Sequence, residues 1–149
     1  MEKDANLAQI DNSEVVRHVL DTLINISGRK TTKGHAVSTM TDLIKKLEGK
    51  YDFLKNVEVN DTRFLETSEP ITVMTDINKV KSNELGNALC DIIKTMNIAL
   101  GKDAGYFFIK EVKDNLQETY SQNFEDMGLD LGLLQLEHEI RELSRKIQK

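Results

Sequence analysis

At 149 residues the chain has the length of one domain, and on folding it can bury roughly two thirds of the surface its unfolded form exposes. Its one cysteine, Cys90, excludes an internal disulfide and points to a reducing compartment. The net charge of -5 argues against a chain coated with basic residues for nonspecific nucleic-acid binding, and no stretch approaches the roughly 18 uncharged apolar residues of a membrane span.

Residues 1–11 read as a flexible tail, from which Ile10 and Leu7 can dock on the first helix, and residues 12–149 read as a single domain. The tail is charged and polar and lacks the basic and apolar regions of a cleaved signal, so the expected location is cytoplasmic, with no membrane partner. Asp11 and Glu14 have the offset of a capping box, and Val15, Val16, Val19, Leu20, Leu23 and Ile24 follow helical spacing, which predicts a first helix from about Asn12 to Ile26. Ser27 and Gly28 are expected to end it, and Thr31 or Thr32 to cap a second helix carrying Ala36, Val37, Met40, Leu43, Ile44 and Leu47, with Gly49 as a left-handed stop. The pair suggests an antiparallel αα-hairpin.

From Tyr51 the period changes. Phe53, Val57 and Val59 lie at even spacing, and after the polar connection Thr62 to Pro70 a second alternation runs through Ile71 and Val73. Two strands of five to seven residues need support from a helix or from another chain, and the central helix is the expected support. That helix, from Ser82 or Asn83 to Leu100, repeats Leu85, Ala88, Leu89, Ile92, Ile93, Met96 and Leu100 at steps of three and four, the period of one broad buried face. GKDAG interrupts the pattern, with Gly101 as a terminator and Asp103 as a cap for a fourth helix that opens on Tyr106, Phe107 and Phe108 and continues through Ile109, Val112, Leu116 and Tyr120. After a break near Met127, a last helix is expected over 131–148. Leu133, Leu136, Ile140, Leu143 and Ile147 give it the a/d pattern of a coiled-coil seam about two heptads long, which fits packing within the chain and pairing between chains equally. The fold class is α+β and mainly helical, with an αα-hairpin, a small antiparallel sheet of two short strands, and three further helices ending in an amphipathic one.

No catalytic constellation emerges. The eight glycines are scattered at helix ends rather than gathered in a phosphate loop. His18, His35 and His138 stand on separate predicted helices with no second His or Cys at metal spacing, and no Glu-x-x-His pair repeats. No serine sits in a nucleophile elbow, and Cys90 beside an apolar stripe reads as a small core residue. Tyr51, Asp52, Tyr106, Glu111 and Asp114 could meet only through the fold. No cofactor and no metal are expected.

These absences, together with the amphipathic helices and the seam, favour a non-enzymatic intracellular interaction or regulatory module, homodimeric or bound to a protein partner. An alternative uses Gly28 to Lys50, whose six Lys/Arg against two acids give +4 locally and leave -9 for the rest. Arg29, Lys30 and Lys33 would lie near the start of the second helix, where a helix-turn-helix reads bases, although the linker is long for that motif. A third reading is a small-molecule sensor or enzyme with a pocket near 101–109, between the sheet and the cluster of Tyr106, Phe107 and Phe108.

Overall fold

A computed structural model of the protein describes residues 10–60, 70–105 and 107–147. The order of elements is α1 (Asn12–Lys30), α2 (Lys33–Leu47), a 3-10 turn (Asp52–Asn56), β1 (Val57–Val59), β2 (Ile71–Val73), a second 3-10 turn (Thr75–Lys79), α3 (Ser82–Gly105), α4 (Phe108–Met127) and α5 (Leu131–Ile147). It is the mainly helical α+β arrangement that the apolar periods call for. The connection Thr62 to Pro70 and the tail fall almost wholly outside the described residues.

α1 is the hub of the core, touching α2, α3, α4, β2 and the second 3-10 turn. Val15, Val19, Leu20 and Leu23 are completely buried along it, and Ile10 packs against the same cluster. α1 continues a full turn beyond the expected end at Ile26, and Gly28 lies within it as a close-packing residue. A Cβ there would lie 3.3 Å from the Lys33 Cα, tighter than most such contacts, so glycine lets the second helix start close against the end of the first. The linker is therefore just Thr31 and Thr32, and Thr32 caps α2 by accepting the His35 backbone N–H at 3.1 Å. The expected capping box at the start of α1 does not form. The Ser13 N–H is satisfied by the Asn78 side chain from the second 3-10 turn, at 2.8 Å, while Glu14 turns to Arg17. Gly49 is not left-handed either: α2 closes through Glu48, in ordinary helical geometry.

The strands are three residues each rather than five to seven, paired antiparallel with Val57 opposite Val73 and Val59 opposite Ile71. Phe53 belongs to the 3-10 turn, not to β1. The ribbon lies chiefly on α1 and α2, with Val57 and Ile71 buried, so the central helix is not its main support.

α3 buries Leu85, Ala88, Leu89, Ile92, Ile93 and Met96 as its spacing requires. The backbone then breaks at Gly101, with φ 82 and ψ -178, a region open essentially to glycine alone. Asp103 lies within the short helical piece that follows the break. α4 starts later, after Phe107.

α4 ends in a Schellman turn. Gly128 is left-handed, its N–H bonds to the Glu125 carbonyl at 3.1 Å, and the Leu129 N–H bonds to the Phe124 carbonyl at 2.9 Å. Asp130 then accepts the Leu133 N–H at 3.0 Å and so launches α5. This corner is clamped on α3, because a Cβ on Gly86 would fall 2.0 Å from the Met127 carbonyl oxygen. Gly86→Ala should accordingly destabilise the protein by about 1–3 kcal/mol, since one of two backbones must move, and lower the Tm by roughly 3–10 °C. A thermal melt indistinguishable from that of the unsubstituted protein would refute the contact.

Candidate functional site

α5 presents two unlike faces. Leu131 and Leu134 are buried against the rest of the core, whereas Leu133, Leu136, Ile140 and Leu143 are 51, 51, 53 and 58% exposed. The seam read from the sequence thus lies outward along one side of the helix. The side chain of Ile147, the last seam position, lies outside the described residues. In a helix the positions i, i+3, i+7 and i+10 form one stripe, and the core needs only the residues nearly half a turn away from it.

Beside the far end of this stripe lies a cleft of about 440 Å³, lined by Phe107, Ile109, Lys110, His138, Glu142 and Leu143 among others. The aromatic cluster expected here is divided. Phe108 is completely buried in the core, Phe107 is 55% exposed at the cleft, and Tyr106 lies outside the described residues. The wall of the cleft is therefore one aromatic ring with aliphatic and charged neighbours.

Behind the stripe α5 is tied to α3 by a polar contact. The Asn97 Nδ2 and His138 Nδ1 lie at hydrogen-bond distance, 2.9 Å. His138 Nε2 and the Asn97 Oδ1 are both buried without a partner among the described residues. Each such group forfeits its hydration on folding, so this contact specifies geometry at a cost in stability. The Glu-flanked His138 therefore faces inward, against the solvated position that its neighbours suggest.

The basic stretch is partly neutralised. Arg29 and Lys30 lie in the last turn of α1, not at the start of α2, and both reach Glu111 on α4, at 3.2 and 2.8 Å. Lys33 is exposed at the first position of α2. Lys50 and the Tyr51 hydroxyl both donate to Asp91, at 3.1 and 2.6 Å. Partial burial disfavours the Asp91 charge, but these two hydrogen bonds and the Lys50 ammonium outweigh it and hold the carboxyl below its usual range.

The polar residues that might have formed an acid-base group go to separate neighbours: Tyr51 to Asp91, Asp52 to Lys55, Glu111 to Arg29 and Lys30, and Asp114 to Lys110. Among the described residues no three His, Cys, Asp or Glu side chains gather as a metal would require. Cys90 is partly buried, and that burial pushes its thiol pKa up, away from a reactive thiolate.

One network has no local signal in the sequence. Glu14 accepts from Arg17 at 2.9 Å, Arg17 donates to His18 Nε2 at 2.7 Å, and His18 Nδ1 hydrogen bonds to the Tyr120 hydroxyl on α4. Tyr120 occupies a non-helical turn within α4, so the backbone bends where its hydroxyl meets α1.

Compared with models of protein families, with curated proteins and with solved structures, the chain shows no significant match.

The Glu111 cluster has a pH signature. Its hydrogen bond from Lys30 comes first, opposed by partial burial and reinforced by the Lys30 and Arg29 charges, and the carboxyl is held below its ordinary value of 4.5. A depressed carboxylate stabilises the fold above the unfolded-state value, and the contribution is lost as pH falls through the folded one. Glu111→Gln should cost up to about 1 kcal/mol near pH 7, the scale of a partly exposed ion pair. The difference from the unsubstituted protein should shrink below pH 4.5. Denaturant titrations at pH 7 and pH 3 test this, and a gap that persists undiminished at pH 3 would contradict it.

Proposed function

We propose that this protein is a non-enzymatic interaction module that pairs with a second copy of itself through α5. The observation that supports this reading is the row of Leu133, Leu136, Ile140 and Leu143, four large aliphatic side chains each more than half exposed on one side of one helix. A monomer gains nothing from that spacing, because the core of this one is served by Leu131 and Leu134. A second copy of the stripe supplies the same residues in the same row, as a two-fold symmetric interface requires. Covering the exposed half of each side chain gains about 1 kcal/mol. Eight such residues in a pair gain about 8 kcal/mol against an association cost of about 4 kcal/mol, so the expected dissociation constant is on the order of millimolar.

The other readings draw less support. For the basic segment as a nucleic-acid surface, two of the three proposed contact residues, Arg29 and Lys30, are already paired with Glu111. For a small-molecule pocket, Phe108 is turned into the core, which leaves Phe107 as the aromatic at the cleft.

Sedimentation equilibrium should show a reversible monomer–dimer system at high micromolar protein. The double substitution Leu136→Glu and Ile140→Glu should leave only monomer, with far-UV circular dichroism preserved and stability within about 0.5 kcal/mol, as for exposed positions. A strict monomer at high micromolar concentration of the unsubstituted protein would sink the proposal.

A further inference from the structure

The contact between Asn97 and His138 leaves two complementary polar groups unused. Asn97 is 3% exposed, and neither its Oδ1 nor His138 Nε2 has a partner among the described residues. His138 also lines the cleft of about 440 Å³ between the start of α4 and the distal part of α5, a volume suited to a small organic molecule. We propose that this cleft binds a flat, uncharged molecule whose polar edge sets a hydrogen-bond donor next to an acceptor, as in a lactam, a carboxamide or a nucleobase. The edge goes to His138 and Asn97, and the apolar body to Phe107, Ile109 and Leu143. The proposal stands on the polar pair rather than on the aromatic cluster, and it does not depend on pairing through α5.

The chemistry of the ligand follows from what the pair lacks. If the Asn97 amide donates to the ring, Nε2 carries the imidazole proton and Oδ1 is the bare acceptor. If the amide is reversed and the ring donates, Nε2 is the bare acceptor and the amide N–H is the unused donor. Each arrangement of the neutral ring therefore leaves one donor and one acceptor. An ion of either sign satisfies one of them at most, whereas a lactam edge satisfies both. The walls agree with a neutral guest, since Lys110 is engaged by Asp114 at 2.8 Å and the carboxylates of Glu139 and Glu142 repel an anion. A buried polar group without a partner is costly, so a ligand that supplies both partners gains more here than on an open surface.

Both unused atoms are shielded from solvent, so the ligand enters as α5 moves outward at His138. Among the described residues, α5 buries none after Leu134, and that part of the helix is the movable wall. The Asn97 wall is fixed. A Cβ on Gly105 would fall 2.8 Å from the Asn97 carbonyl oxygen and 3.2 Å from Oδ1, so the chain that returns from the break at Gly101 packs directly on this residue. Binding selects the outward arrangement of α5 and stabilises it against the fixed wall.

The test uses 2-quinolinone, a flat bicycle whose ring N–H stands next to its carbonyl, and its N-methyl derivative, which keeps the body and the carbonyl but lacks the donor. Titrating the unsubstituted protein with 2-quinolinone should give saturable NMR shifts of the His138 imidazole and the Asn97 side-chain amide, with a dissociation constant on the order of millimolar. The N-methyl compound should bind about tenfold more weakly, the scale of one lost hydrogen bond. The double substitution Asn97→Leu and His138→Leu removes both unused groups; it should leave the Tm undiminished and, followed through the backbone amides of α5, abolish the difference between the two compounds. Equal affinity of the two compounds for the unsubstituted protein overturns the proposal, as do shifts confined to other residues. Absence of any saturable shift up to the solubility limit also overturns it and leaves the pair to water alone. The comparison of the two compounds needs no variant, so it decides the matter even if the double substitution fails to fold.

Discussion

The backbone contact between Gly86 and Met127 is the constraint on which the placement of α5 depends. A glycine that admits a carbonyl oxygen at the distance of a side-chain carbon lets α3 and the end of α4 meet with nothing between them. The Schellman turn at Gly128 then reverses the chain within three residues, and Asp130 starts the next helix. These are local, short-range devices. Together they decide which side of α5 is given to the core and which side is left over.

Polar groups do a comparable job at the other helix contacts. Glu111 ties the end of α1 to α4, Asp91 ties the segment after α2 to α3, and the His18–Tyr120 pair joins α1 to the bend of α4. Each is only partly buried, so its energetic contribution is modest. Their effect is on geometry, because a shifted helix would leave a charge or hydroxyl facing the wrong neighbour.

Much of this arrangement is legible in the sequence, and the failures have physical causes. The apolar periods of α1, α2 and α3 locate the core residues because a helix packed on the core must repeat its apolar side chains at the helical spacing. Termini are less legible, since glycine has two uses: Gly28 reads as a stop but admits a neighbouring helix, while Gly128 does end one. The capping of α1 by Asn78, from 65 residues away, has no local signature. The outward stripe on α5 was visible as a row, but which row faced the core depended on Leu131 and Leu134, two leucines that fall outside the heptad pattern. Phe107 and Phe108 are adjacent and chemically alike, and only the start of α4 assigns one to solvent and the other to the core.

The attachment of α5 is uneven along its length. Its fully buried residues, Leu131 and Leu134, belong to the first turn, and the next inward contact, His138 with Asn97, carries two orphaned polar atoms. Beyond His138, Ile140 and Leu143 lie mostly in solvent when the chain is alone. In a lone chain the described residues of this helix beyond His138 therefore lose little by opening, and their amides should exchange with solvent through local fraying rather than through global unfolding.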